Sequence, residues 1–180
     1  MVEIKISACL ASDLTPLMAI DHSCQSDYVW QMDPQREEGQ AGATFREIRL
    51  PHAVSVPYPR PVATLSETWN RRTGFLVGLT ADQLAGYVRM NDTILPHTAW
   101  ITDVVVAPRF RRQGIGSALL LAAQAWALDR KNTFCMLEMP SKNHAAIRLA
   151  QKLGYEFCGY NDRYYESRDI ALFFGRSIHL

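Results

Sequence analysis

A basic, glycine-containing turn at residues 111–116 is the segment with the clearest capacity for chemistry. It reads Arg-Arg-Gln-Gly-Ile-Gly and joins an apolar, β-branched run to a long helical pattern. The first backbone N–H groups of a helix have no intrahelical partner, and the helix dipole adds partial positive charge. Gly114 and Gly116 let an anion approach the backbone, while Arg111 and Arg112 add charge-assisted donors. The turn therefore suits a phosphate or a pyrophosphate.

Two other phosphate-binding patterns compete with this interpretation of the turn. A P-loop requires Gly-Lys-Ser/Thr, which is absent. A dinucleotide-binding turn requires Gly-x-Gly-x-x-Gly/Ala, but Leu119 stands at the third position. Glu138 favours the dinucleotide pattern, because it lies about the right distance further on for a ribose-binding acid. Against that pattern, two arginines enter the turn and too little chain follows Glu138 to complete a doubly wound sheet.

The elements around the turn predict an α/β domain with a mixed sheet. Apolar alternation and β-branched runs predict strands at residues 3–7, 75–79, 84–90, 100–107, 133–139, 155–160 and 170–178. Capping residues and helical spacing predict helices that begin at Leu14, at Thr64 or Ser66, at Ile115 and at Asn143. Because the connections include both hairpins and crossovers, we expect parallel and antiparallel pairing together.

Residues 28–61 form an extended insert between the first two helices. Apolar residues alternate from Tyr28 to Met32 and again over residues 44–50, and a stiff proline-rich stretch follows at residues 57–61. The insert is therefore predicted to form extended strands or a hairpin. We expect one domain that covers residues 1–180.

The composition is that of an ordinary globular protein, and it argues against nucleic-acid and metal partners. Hydrophobic residues make up 48% and charged residues 21% of 180 residues, and the net charge is +1. Nucleic-acid binding needs clustered Lys and Arg, so we expect no nucleic-acid partner. The four cysteines and five histidines show no metal-ligand spacing, so we predict reduced thiols and no metal.

The hydropathy pattern predicts a soluble, cytoplasmic protein without a membrane partner. The first residues lack the basic start and continuous apolar stretch of a signal peptide. The most apolar stretch, residues 118–128, is too short to span a bilayer. Exposed strands in the insert or at the C-terminus would allow a homodimer.

Two motifs, in order and at the expected spacing, resemble those of the GNAT superfamily of acetyl-CoA-dependent acyltransferases. Residues 111–116 match the family's Arg/Gln-x-x-Gly-x-Gly/Ala signature, and residues 143–155 resemble its Asn-x-x-Ala-x-x-Leu-Tyr-x-x-x-Gly-Phe helix. The resemblance is firm over residues 101–174 and weaker before them. It implies an α/β (α+β) fold with a mixed, mostly antiparallel central sheet flanked by helices. It also implies acetyl-CoA as cosubstrate.

The resemblance places the CoA site at the turn and along the strand before it. In the family a splayed strand there offers a backbone N–H to the thioester carbonyl, which stabilises developing negative charge. We nominate Val106, or its neighbour Val104, for this contact. The candidate cofactor-binding residues are Val104, Val105, Val106, Arg111, Arg112, Gln113, Gly114, Ile115, Gly116, Ser117 and Asn143.

The family implies direct attack of an amine on the thioester, which requires a base for the amine's proton. Glu138 is the first candidate, because it stands where the most similar branch, the protein N-terminal alanine acetyltransferases, carries a catalytic Glu. Asp103 is the second candidate. The family's usual tyrosine acid is Ala150 here, and Tyr164 or Tyr165 is a candidate substitute.

From these features we expect an N-acyltransferase that moves an acetyl group from acetyl-CoA to a primary amine of a small molecule or a peptide. The alternative is a non-catalytic CoA-binding sensor or interaction module of the same fold. The alanine at position 150 keeps this alternative open.

Overall fold

A seven-stranded sheet with a separate two-stranded hairpin is the centre of the computed structural model, which describes residues 3–69 and 74–179. The strands are β1 (Lys5–Ala8), β2 (Cys24–Gln35), β3 (Gly42–Val56), β4 (Gly74–Thr80), β5 (Gln83–Leu95), β6 (Thr98–Val106), β7 (Phe134–Pro140), β8 (Glu156–Asn161) and β9 (Ala171–Ser177). The helices are α1 (Leu14–Met18), α2 (Thr64–Glu67), α3 (Ile115–Asp129) and α4 (His144–Lys152). The sheet order is β1-β4-β5-β6-β7-β9-β8.

The strand pairing confirms the predicted mixed, mostly antiparallel sheet. Among the described strands, β6 and β7 are the one parallel pair. The dinucleotide-binding alternative is therefore wrong, because that fold needs a mostly parallel sheet. One strand is also longer than predicted. β5 runs on to Leu95, since it continues into a tight turn in which His97 has a φ of 53°.

The helices begin close to where capping and spacing predict. α3, predicted over residues 115–130, ends at Asp129. α4 follows Asn143, whose side-chain oxygen accepts a hydrogen bond from the Ala146 N–H at 3.1 Å. The helix predicted from Thr64 through Arg72 is observed as Thr64–Glu67, and its predicted last residues lie outside the described ranges. In the described part of the chain no helix has both the length and the apolar character needed to cross a membrane.

Two hydrophobic clusters hold helices on opposite faces of the sheet. On one face α3 and α4 pack through fully buried side chains such as Leu119, Leu120 and Ile147. On the other face α1 and α2 pack through Leu17 and Leu65. Each such side chain contributes about 1.5–3 kcal/mol of stability through its burial. We call the second of these faces the α1/α2 face.

A β-bulge in β6 decides which of its side chains reach the α1/α2 face. Ile101 pairs with Met90 and Asp103 pairs with Arg89, so Thr102 is an extra residue in β6. Before the bulge Ile101 belongs to the α3/α4 core, whereas after it the odd-numbered residues turn to the α1/α2 face. The strand therefore carries Asp103 to the side opposite Ile101.

The parallel pair β6–β7 separates at its carboxyl end. Its last paired residues are Ile101 and Leu137, although β6 continues to Val106 and β7 to Pro140. A gap therefore opens between the two strands just before the turn that leads into α3. This splayed geometry agrees with the arrangement that the GNAT resemblance implies.

The extended insert forms the β2–β3 hairpin, which is one of the two arrangements that its sequence predicts. It begins at Cys24, earlier than predicted, and packs across the end of β7, the start of α4 and the edge strand β8. The Trp30 N–H donates to the Ser141 carbonyl at 2.9 Å, and the Phe45 ring lies 5.3 Å from the Phe157 ring. The hairpin thus covers both the end of β7, which borders the gap, and part of the sheet edge at β8.

Candidate active site

The turn between β6 and α3 presents a row of backbone N–H groups. In the described residues, none of the N–H groups from Arg112 to Ser117 has a protein acceptor. Gly114 caps the helix with a φ of 90°, a left-handed conformation that favours glycine. A Cβ on Gly116 would lie 3.0 Å from the Leu149 Cδ2, so α3 and α4 approach closely at this point. The row of donors is suited to an anion, as the sequence predicts.

The two arginines of the turn have different surroundings. The Arg111 Nε donates to the Val106 carbonyl at 2.9 Å, and its Nη2 donates to the Ser23 carbonyl at 2.6 Å. Its guanidinium therefore ties the turn to the loop after α1, and its predicted contact with phosphate stays a prediction. Arg112 is exposed and has a φ of 64°. Of these two predicted phosphate ligands, Arg112 is the more exposed.

Two backbone N–H groups of β6 face the gap between β6 and β7. The Ala107 N–H donates to the Ala85 carbonyl at 2.9 Å, so by alternation Val105 also points its backbone groups at β5. Val104 and Val106 point the other way, where the Val106 carbonyl meets Arg111. The nomination of Val104 and Val106 is compatible with this geometry. Val105 instead directs its peptide groups at β5, and its predicted part in cofactor binding stays a prediction.

Glu138 lies at the centre of a buried polar network on the α1/α2 face. Its side chain is 0% exposed and forms an ion pair with Arg60 through Oε1. Its Oε2 accepts hydrogen bonds from the Trp100 Nε1 at 2.5 Å and from the Tyr164 hydroxyl at 2.7 Å. Two hydrogen-bond donors and one guanidinium, from three different segments, therefore surround this carboxylate.

Asp103 is the second buried carboxylate of the network, and its side chain is also 0% exposed. The Arg60 Nη1 lies 3.5 Å from its Oδ1, and the Arg89 Nε lies 3.3 Å from its Oδ2. The Thr102 hydroxyl donates to Oδ2 at 2.8 Å, and the Tyr58 hydroxyl donates to Oδ1. Two carboxylates and two guanidiniums thus balance each other's charge, as buried ions require.

A cavity of about 290 Å³ opens beside this network. It is lined by Pro59, Arg60, Pro61, Tyr164, Tyr165 and Glu166. A larger open groove, of about 620 Å³, lies between α1, the β4–β5 turn and residues 107–109, but it contains no residue of the network. We take the smaller cavity as the candidate acceptor site, because the charged groups converge beside it.

Tyr165 is buried next to the network, and in the described part of the chain its hydroxyl has no hydrogen-bond partner. The Arg60 guanidinium lies 5.6 Å from the centre of its ring. Burial raises the pKa of Tyr165, so the hydroxyl keeps its proton. Ala150, by contrast, is 0% exposed in the α3/α4 core, so a small apolar side chain fills that position.

Residues 42–155, well over half of the chain, match the family model for the Acetyltransferase (GNAT) family. The chain belongs to this family. The match includes the turn, the helix α4 and both buried carboxylates. The resemblance inferred from the two motifs is thereby confirmed.

Relatives of this GNAT chain include acetyltransferases named for streptothricin and nourseothricin. Over 100 residues, 56% of the chain, it is 32% identical to a streptothricin acetyltransferase of Streptomyces lavendulae, and the match spans 52% of that relative, about half its length. The crystal structure of a nourseothricin acetyltransferase has a TM-score of 0.83 at 22% identity and covers 97% of this chain and 98% of that one. A Bacillus anthracis str. Ames protein, solved in complex with acetyl coenzyme A, has a TM-score of 0.78 at 20% identity and covers 98% and 100% of the two chains. Alanine N-acetyltransferases of ribosomal proteins also share the GNAT fold.

Sequence reasoning named some residues of this candidate site and missed others. It named Glu138, Asp103 and Tyr165, all three of which the structure places next to Arg60. It missed Arg60 and Trp100, which hold Glu138 in place. The one available signal for Arg60 was its place as the single cation in the proline-rich stretch 57–61. The tryptophan carries no such signal, because a strand tryptophan is more often a core residue.

The exposed arginine of the turn gives a first prediction. Arg112→Ala is expected to raise the Kd for acetyl-CoA about fivefold, since it removes a charge-assisted phosphate contact that solvent partly screens. Isothermal titration with acetyl-CoA measures this change. Arg109→Ala is the matched control, because Arg109 is an exposed neighbour whose guanidinium stacks on the Phe110 ring. An unchanged Kd in Arg112→Ala would contradict the phosphate assignment.

Proposed function

We propose that this GNAT protein transfers the acetyl group of acetyl-CoA to a primary amine of a small molecule of the streptothricin class. The observation that carries the proposal is the pair of buried carboxylates, Glu138 and Asp103, beside a gap that backbone donors line. The relationship to the streptothricin acetyltransferase supports the choice of a small-molecule acceptor over a peptide.

The residues of the turn fit the phosphates of CoA. The N–H row from Arg112 to Ser117 supplies donors in a fixed arrangement, and the exposed guanidinium of Arg112 adds positive charge. Acetyl-CoA supplies an activated thioester. Val104 and Val106 direct N–H groups into the gap, where such donors stabilise the oxygen of a carbonyl under attack.

Glu138 takes the amine's proton in this proposal. A base must lie within hydrogen-bond reach of the reacting nitrogen, and its orientation must be set beforehand. The Trp100 indole and the Tyr164 hydroxyl both bond Oε2, so they hold the carboxylate group in one orientation. The other oxygen, Oε1, faces Arg60, and Arg60 in turn lines the adjoining cavity. Asp103, which has four donors around it, serves to hold positive charge.

Tyr165 is the proposed proton donor to the departing thiolate. A free thiol has a pKa of about 8.5, so thiolate is already a tolerable leaving group and needs little help. Tyr165→Phe is therefore expected to lower kcat only about threefold to tenfold near neutral pH. The stability should change by less than about 0.5 kcal/mol, because the hydroxyl makes no hydrogen bond within the described chain.

Tyr155→Phe is the matched control for this prediction. The Tyr155 hydroxyl accepts a hydrogen bond from the Gln124 Nε2 at 3.2 Å, away from the site. The control should lose about 1 kcal/mol of stability with kcat unchanged, the reverse of the Tyr165→Phe result. Steady-state kinetics and thermal unfolding of both variants measure the two effects. An unchanged kcat in Tyr165→Phe would remove this tyrosine from the mechanism.

The assay that tests the proposed function is thiol release from acetyl-CoA. We expect streptothricin to give a kcat/KM at least about 10²-fold above that of a peptide with an N-terminal alanine. Mass spectrometry of the product should show one added acetyl group. A higher kcat/KM with the peptide would overturn the small-molecule assignment. If the protein binds acetyl-CoA but releases no thiol in the presence of any tested amine, the result would indicate a non-catalytic sensor instead.

A further inference from the structure

Arg60 contacts Glu138 and also lines the candidate acceptor cavity. Its guanidinium pairs with the Glu138 Oε1 and lies 3.5 Å from the Asp103 Oδ1, while Nη1 also donates to the Thr102 carbonyl at 3.2 Å. It therefore bridges both buried carboxylates. The same residue lines the candidate acceptor cavity together with Tyr164. In this structure a cation of the protein itself thus lies between the cavity and the proposed base.

The two arginines of the network belong to different parts of the fold. Arg89 belongs to β5, in the middle of the sheet, where it pairs with Asp103 of the neighbouring strand. Arg60 instead belongs to the stretch Pro57–Pro61, which connects β3 to α2 and lies outside the sheet. We call this stretch the strap. The Arg60 side chain is 22% exposed and lines the open cavity, so this residue already borders solvent.

Charge balance limits what can take the place of Arg60. If Arg60 left alone, the two carboxylates would keep a single guanidinium, and an uncompensated buried charge costs several kcal/mol. A neutral ligand cannot offset this cost. A protonated amine can, because it brings one positive charge to the position that the guanidinium vacates. The exchange of one cation for another preserves the neutrality of the network.

We propose that Arg60 is a displaceable internal counter-ion that makes the site selective for acceptors arriving as cations. The proposal rests on the proposed function and deepens it. A primary ammonium replaces the guanidinium between Glu138 and Asp103, and the strap carries Arg60 into solvent. The Glu138 Oε1 then meets the ammonium directly. The N–H bond breaks as an O–H bond forms on Oε1, which leaves a neutral amine as nucleophile and a neutral carboxylic acid.

The vacated position can be tested without any acceptor. Arg60→Ala should bind free guanidinium ion, so about 20 mM guanidinium chloride should raise its Tm by roughly 2–4 °C over the same concentration of NaCl. The wild type should show no such rise. Arg46→Ala is the matched control, because Arg46 also pairs with a carboxylate, that of Asp33, but is 62% exposed on the hairpin. If guanidinium fails to stabilise Arg60→Ala selectively, the displaceable cation site does not exist.

Kinetics with streptothricin test the displacement itself. Without competition from its own guanidinium, Arg60→Ala should show a KM for streptothricin at least about fivefold lower than the wild type. Arg46→Ala should match the wild type. A raised KM in Arg60→Ala would show that Arg60 holds the acceptor and would overturn the proposal. If the wild type releases no thiol, the proposed function is rejected. The guanidinium measurement then still shows whether the displaceable cation site exists.

A second variant and a structure cover the case in which Arg60→Ala does not fold. Arg60→Lys keeps the charge, but a single ammonium is a weaker bridge between two carboxylates than a planar guanidinium. Its KM for streptothricin should fall about twofold or more. In a crystal structure of the wild type with CoA and streptothricin, the guanidinium should have left both carboxylates. An Arg60–Glu138 ion pair that persists beside a bound acceptor would overturn the proposal.

Discussion

Replacing Glu138 by glutamine is expected to lower kcat for acetyl transfer about 10²-fold to 10³-fold, the range for loss of a positioned base. An amide cannot take the proton of the attacking amine. The Trp100 and Tyr164 donors remain, so the side chain keeps its orientation. The Kd for acetyl-CoA should stay within about twofold, because the turn at residues 111–116 lies on a different element.

The substitution also affects stability, so its kinetics require a matched control. Glu138→Gln removes the buried charge that pairs with Arg60, and breaking an ion pair with a buried partner costs about 3 kcal/mol. Titration with acetyl-CoA therefore gives the fraction of folded enzyme before kcat is compared. Glu47→Gln is the control, since Glu47 contacts His144 at 2.9 Å on the hairpin, outside the network. Equal kcat in Glu138→Gln and the wild type would exclude this carboxylate as the base.

Gly114→Ala is expected to raise the Kd for acetyl-CoA about tenfold, which corresponds to about 1.4 kcal/mol. Gly114 has a φ of 90°, which a residue with a Cβ adopts only with strain. The Cβ itself would meet nothing closer than the Ile4 Cδ1 at 4.0 Å. The expected loss therefore comes from a shift of the backbone, which turns the N–H groups at the start of α3 away from the phosphates.

Gly39→Ala separates this loss of binding from a general loss of stability. Gly39 lies in the loop of the β2–β3 hairpin with a φ of 76°, and no atom lies within 4 Å of its would-be Cβ. Both substitutions should lower the free energy of unfolding by about 1 kcal/mol, because each forces a side chain into the left-handed region. Only Gly114→Ala should change the acetyl-CoA Kd. A similar Kd for both variants would show that the turn does not bind CoA.

Much of the fold follows from local patterns in the chain. The order of strands and helices was predictable because each element carries its own period of apolar residues and its own caps, as Asn143 does for α4. The turn at residues 111–116 was predictable for the same reason. Its chemistry depends on neighbours in sequence, which are a strand, two glycines and a helix start. Such a site needs no distant residue to be recognised.

Other features depend on contacts that no local pattern encodes. The bulge at Thr102 adds one residue to β6, and this turns Asp103 to the α1/α2 face. Alternation alone does not reveal a bulge, since it depends on the pairing of β6 with β5. The same applies to Arg111, which matches the family's signature. Its guanidinium is held by the carbonyls of Val106 and Ser23, far apart in sequence.

The sequence by itself determined the family, the order of the elements and the candidate pyrophosphate turn, because these depend on residues within one or two turns of chain. The tertiary structure decided what surrounds the reacting amine. Glu138, Asp103 and Arg60 come from β7, β6 and the strap, and they meet only after the sheet and the hairpin have formed. Electrostatic balance among buried groups depends on distances in space, and those distances arise from the packing of the whole chain.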